Sequence, residues 1–105
     1  MLRLEVACTA ERATFLLQGR LTLYEIRHAH GMLRAAAPLV ETRDCYTDLR
    51  QIERLDIAAV QLLLALERQL RDNGRTLTLL TTDSVAMLLR SLGLDRLVAL
   101  PPEAL

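Results

Sequence analysis

"QIERLDIAAVQLLLALERQL", Gln51 to Leu70, runs without Gly or Pro from a mixed apolar segment into a leucine-rich stretch, and its reading decides the fold. Such a passage is a strand turning directly into a helix, with the turn at Asp56-Ile57-Ala58-Ala59. The first N–H groups of a helix have no partner within it, so Ser, Thr, Asp or Asn commonly precedes the first turn and accepts a hydrogen bond from one of them. Here only Asp56 has the side chain for that task; Ile57, Ala58 and Ala59 carry no side-chain oxygen. The spacing predicts a helix from Ala58 to Asn73 with Gln61, Ala65, Arg68 and Asp72 as its polar stripe and Ala59, Leu62, Leu63, Leu66 and Leu70 as its buried face. Gly74 ends it in the left-handed conformation that Gly adopts without strain. Glu67 and Arg71 have the spacing of a helical ion pair.

The elements on either side continue an alternation of strand and helix. Upstream, "DCYTDL", 44 to 49, is rich in β-formers and reads as a central strand, Cys45, Thr47 and Leu49 on one side and Tyr46 on the other. Downstream, "RTLTLLT", 75 to 81, reads as another strand, after which Thr82 or Asp83 caps a helix from Ser84 to Leu92 that Gly93 ends. Near the start, "LRLEVA", 2 to 7, alternates apolar and charged residues as a half-buried strand does. "ATFLLQ", 13 to 18, is expected to be a second strand stopped by Gly19 and paired with the first as a hairpin. Thr22-Leu23-Tyr24-Glu25 fits a capping box, so a helix is expected to begin there. Its buried face would carry Leu23, Ile26, Ala29 or His30, Leu33 and Ala37, with Pro38 as its stop. This order argues for an α/β domain with a partly parallel sheet and helical crossovers.

Composition narrows the function. A chain of 105 residues, 51% hydrophobic and 25% charged, is expected to be one ordered domain. Thirteen basic residues, all Arg, balance thirteen acidic ones, so no global field draws the protein to nucleic acid or an anionic membrane. Three aromatic residues leave little for base stacking. No apolar run approaches the roughly 20 residues that span a bilayer, and no leader of signal-peptide type is visible, so the cytoplasm is the expected compartment and direct membrane insertion is not expected. The Leu62-Leu63-Leu64 run has the spacing of a crossover helix on a sheet, not of a membrane-active helix.

Catalytic and metal-binding chemistry find little support. His28 and His30 point about 200° apart on a helix and cannot grip one metal; one is expected in solvent and the other at the edge of the core. Cys8 and Cys45 have neither CxxC spacing nor a nearby His in sequence, and Cys45 reads as a buried, inert thiol. Glycine-rich phosphate loops are absent, as is any Lys to serve one. No cofactor and no metal are expected, and the chain reads as a non-enzymatic domain.

The order of elements resembles the STAS domain, the fold of bacterial anti-sigma factor antagonists, over nearly the whole chain. "TDLRQIERLDIAAVQLLLALERQLRDNGRTLTLL" is similar to the family's "DLS" strand followed by "DSSG" and a leucine-rich helix, and "VAMLLRSLGLDRL" to its final helix. The resemblance implies a mixed sheet of four to five strands packed with three to four α-helices, in a single domain over 1–105. It also implies regulation by protein–protein binding, with Asp56, Ile57, Ala58, Ala59, Val60 and Gln61 at the partner surface. In such antagonists the second Ser of the junction is phosphorylated by an anti-sigma kinase. Here Asp56 keeps the Asp, Ile57 replaces the first Ser, Ala58 occupies the phosphoacceptor position and Ala59 replaces Gly. A phosphate would add a charge of about −1.5 to −2 at the helix start, and Ala58 has no oxygen to receive it. Residues 48 to 75 contain no Ser, Thr or Tyr, so a relocated switch would need a site such as Thr82 or Ser84. The expected partner is an anti-sigma factor, a related kinase or a chemotaxis signalling protein, free-standing STAS proteins of chemotaxis clusters having a similar "VQLLLAL" helix. The alternative is a cytoplasmic accessory subunit of a lipid-trafficking ABC transporter, a branch in which a hydroxyl residue follows the Asp where this chain has Ile57.

Overall fold

The computed structural model describes residues 2–99. Its elements, in order, are β1 (Leu2–Cys8), β2 (Arg12–Leu21), α1 (Ile26–Ala36), a 3-10 turn (Ala37–Leu39), β3 (Asp44–Leu55), α2 (Ile57–Asp72), β4 (Leu77–Leu80), α3 (Asp83–Ser91) and a second 3-10 turn (Asp95–Leu97). The strands form one mixed sheet in the order β1-β2-β3-β4, β1 antiparallel to β2 and the other neighbours parallel. Each parallel step moves the same way across the sheet. Right-handed crossovers therefore place the helices on one face.

The burial pattern follows from that arrangement. Ala13, Phe15, Leu17 and Leu21 of β2, Cys45, Thr47 and Leu49 of β3, and Leu77 and Leu79 of β4 point into the layer beneath the helices. Ala29, Leu33 and Ala36 of α1, Ala59, Val60, Leu62, Leu63, Leu66 and Leu70 of α2, and Leu89 of α3 meet them. The opposite face carries Arg3, Glu5, Thr14, Gln18, Tyr46 and Asp48, with Arg12 stacked 3.7 Å from the Tyr46 ring centroid. Asp48 sits there between its register partners Leu16 and Leu80. It accepts bonds at 2.9 and 3.1 Å from the Arg50 guanidinium and at 3.0 Å from the Arg50 backbone N–H. Those bonds, above all the guanidinium's, hold its carboxyl below the ordinary carboxylate range despite its burial.

Several expectations are corrected. Gly19 does not end β2: it takes φ 108° and the strand runs on to Leu21, while register shifts on either side let β3 continue to Leu55 instead of stopping at Leu49. The Thr22–Glu25 box forms only in part. Glu25 reaches back to the Thr22 N–H at 3.0 Å, but the Thr22 hydroxyl donates to the same carboxylate at 2.6 Å and caps no helical N–H. These bonds, the hydroxyl's foremost, lower the Glu25 pKa. The segment is thus a turn, α1 starts at Ile26, and Leu23 is 67% exposed where a buried side chain was expected. Ala29, not His30, takes the buried place, and both histidines are exposed. Glu67 pairs with Arg96 at 3.0 Å and not with Arg71, because the second 3-10 turn brings a guanidinium to it.

The other boundaries move by one or two residues: α2 spans 57–72, β4 77–80 and α3 83–91. Gly74, at φ 72°, closes α2 as expected. Its N–H donates to the Arg71 carbonyl and the Arg75 N–H to the Leu70 carbonyl, the paired bonds of a Schellman ending. Thr82 caps α3, accepting from the Val85 N–H at 3.4 Å. Beyond α3 the chain returns to the sheet, where Val98 bridges to Leu79 and the Ala99 N–H donates to the Leu79 carbonyl at 2.9 Å.

Candidate functional site

The junction lies at the C-terminal ends of the parallel strands β2 and β3. Asp56 leaves β3 in an extended conformation and α2 begins at the next residue. Its two carboxylate oxygens do separate work. Oδ1 accepts from the Ala59 N–H at 3.1 Å and caps α2; Oδ2 accepts from the Leu23 N–H at 2.9 Å and ties down the turn that follows β2. The opening of α2 and the 22–25 turn are thereby held as one surface, although they are far apart in sequence.

That surface is more apolar than its position at a loop end requires. Tyr24 is 92% exposed, Leu23 67% and Ile57 51%. Ala58 is half-buried and Gln61 exposed, whereas Ala59 and Val60 point into the core. Of the six residues assigned to the surface from sequence, Asp56, Ile57, Ala58 and Gln61 have access to solvent. Ala59 and Val60 are buried in the core and lie outside the accessible surface.

Beside the apolar rim lies a cleft of about 470 Å³ lined by Arg20, Thr22, Tyr24, Glu25, Arg54, Leu55 and Asp56. Arg20 and Arg54 are register partners on β2 and β3, both exposed, and neither belongs to an ion pair among the described residues. Sequence reading did not place Leu23, Tyr24, Arg20 or Arg54 at the partner surface. The capping pattern had placed the first two in a helix. The pairing of the two arginines depends on the register shift after Gly19, for which periodicity offers no signal.

The sulfur and imidazole groups lie elsewhere. Cys45 is buried in the sheet's core layer, and that burial pushes its thiol up to about 11, away from nucleophilic use at neutral pH. Among the described residues no three His, Cys, Asp or Glu side chains gather as a metal site would require, and no helix is long and apolar enough to cross a membrane.

The family model described as "Mlab, STAS domain" matches residues 4–100, and the chain belongs to this STAS family. Among solved structures, it is similar to the anti-sigma factor antagonist SpoIIAA in its unphosphorylated form, with 17% identity over 97% of this chain and 91% of that one and a TM-score of 0.75. SpoIIAA of Bacillus in the phosphorylated form gives 16% identity, coverage of 97% and 95%, and a TM-score of 0.70. An antisigma-factor antagonist STAS domain from Rhodobacter sphaeroides gives 17% identity, coverage of 75% and 85%, and a TM-score of 0.62. At these identities the likeness is one of fold: a mixed four-stranded sheet with three helices in the SpoIIAA arrangement. A comparison with curated proteins gives no match.

Proposed function

We propose that this chain acts as one non-enzymatic STAS module, in the cytoplasm, and regulates a protein partner by docking it on the Asp56–Gln61 junction. The partner is an anti-sigma factor, a related kinase or a chemotaxis signalling protein. The observation that carries the reading is the apolar rim of Leu23, Tyr24 and Ile57 held around a fully engaged Asp56. An exposed cluster of large apolar side chains costs solubility unless something covers it, and such clusters are enriched at protein interfaces.

In this reading Ala58 stands where relatives carry the phosphoacceptor, so the surface has no charge to gain and binding is constitutive or set by the partner. Affinity capture from the source cell, followed by titration of the partner against Ile57→Asp, tests it. Ile57→Asp should weaken binding by about 2 kcal/mol or more while leaving the thermal melt nearly unchanged. Unchanged affinity with unchanged stability refutes the assignment.

A second reading, the accessory subunit of a lipid-trafficking ABC transporter, draws on the same observation, since a permanent subunit also needs a fixed apolar face and no switch. Co-purification with an ATPase and a permease would select it over the signalling role.

A further inference from the structure

We propose that Arg20 and Arg54 form the specificity point of the junction, receiving a carboxylate side chain of an acidic, apolar-flanked segment on the protein partner; this rests on the junction being a protein-docking surface. The two residues are register partners on adjacent parallel strands, whose backbones run about 4.8 Å apart. Like charges on neighbouring strands repel, and neither arginine has a direct ion-pair partner among the described residues to offset that repulsion. An anion that bridges both guanidiniums removes the repulsion and gains charge-assisted hydrogen bonds.

The acids already in the cleft leave that role open. Both Asp56 oxygens accept backbone N–H bonds, and Glu25 Oε1 accepts from the N–H and hydroxyl of Thr22. Neither carboxylate forms an ion pair among the described residues. Arg20 is near enough to Glu25 to contribute to its lowered pKa, yet the guanidinium remains without a direct partner there.

The occupant's chemistry follows from what surrounds the pair. Tyr24 lines the cleft itself, Leu23 is bonded to Asp56, and Ile57 opens α2 next to it. A free inorganic anion would use the arginines and leave these side chains in water. A peptide segment with a carboxylate between apolar residues would satisfy both parts of the surface.

The experiment is an NMR titration of the isotope-labelled chain with three probes: a short blocked peptide of glutamates flanked by leucines, its glutamine counterpart, and inorganic phosphate. The glutamate peptide should shift the amides of Arg20, Leu23, Arg54 and Ile57. Affinity should fall at least about tenfold for the glutamine peptide and for Arg20→Glu or Arg54→Glu. Arg54→Glu should melt no lower than the native chain, since it replaces the repulsion between register partners by an attraction, whereas Arg20→Glu also gives up its attraction to Glu25 and should melt slightly lower. Equal binding of the glutamine peptide, equal shifts with phosphate alone, or shifts mapping elsewhere would overturn the assignment. If Ile57→Asp loses the peptide while the arginine variants keep it, the arginine inference fails and the docking reading stands. If all three variants bind like the native chain, both fail.

Discussion

Replacing Asp56 by Ala removes two hydrogen bonds that join segments distant in sequence. Loss of the helix cap from Oδ1 to the Ala59 N–H costs about 1 kcal/mol, the usual value for such caps. Loss of the bond from Oδ2 to the Leu23 N–H costs less, about 0.5 to 1 kcal/mol, because the turn is exposed and water replaces the carboxylate. The sum is about 1.5 to 2 kcal/mol. For a chain of this length the unfolding entropy is about 0.2 kcal/mol per degree, so the melting temperature should fall by about 7 to 10 °C. Asp56→Asn separates the two terms. Its single amide oxygen keeps the cap while its NH2 faces the Leu23 N–H, so it should lose only the smaller part. Urea titrations of the three proteins, with hydrogen exchange read at the Leu23 and Ala59 amides, measure both effects. A cost below about 0.5 kcal/mol for Asp56→Ala, or equal costs for Ala and Asn, would refute the idea that one carboxylate holds the two segments together.

Leu63→Ala should cost about 2 to 5 kcal/mol in urea titration, since Leu63 is buried against the sheet, while Arg68→Ala on the exposed side of α2 should change stability by about 0.5 kcal/mol or less. Asp48 is ionised in the folded protein at pH values where the unfolded chain has begun to take up its proton, so its contribution is present above the ordinary Asp pKa of 3.8 and lost as pH falls through the lower folded value. Asp48→Asn should flatten that acid limb in urea titrations between neutral pH and pH about 3. With Cys45 raised to about 11 and buried, and Cys8 exposed, a thiol reagent at pH about 8 should modify Cys8 in the native state and Cys45 only after unfolding. Incubation with a cognate kinase should yield no phosphopeptide within residues 48–75; phosphate at Thr82 or Ser84 would place the switch at α3.

The strand–helix alternation was legible because each element announces itself locally: Leu62, Leu63, Leu66 and Leu70 fall on one face of α2, and Gly74 and Gly93 close helices in left-handed conformations. Asp56 was legible as a cap for the same reason, but its second bond was not, because Leu23 is brought to it by the sheet and not by spacing. Gly19 misled, since a glycine at positive φ can end a strand or bend it, and pairing with β3 decides which. Thr22 misled because the four residues from it close as a turn, the Glu25 N–H donating to the Thr22 carbonyl, and the helix starts only at Ile26, so no helical N–H reaches the Thr22 hydroxyl. Arg20 and Arg54 become register partners only through the shift that follows Gly19.

The return of the chain to β4 bears on aggregation. β4 is four residues long and would otherwise end the sheet as an open ladder of N–H and C=O groups, a template for the strand of another molecule. The Leu79–Val98 bridge and the bond from the Ala99 N–H to the Leu79 carbonyl interrupt that ladder at Leu79 from within the same chain. Leu97, buried, anchors the segment so that it does not peel away. The last turn therefore guards colloidal behaviour as well as adding to the core: a chain cut before Asp95 would keep all four strands and three helices but present a naked sheet margin, and its failure would show first as self-association in light scattering, before any loss of helical signal.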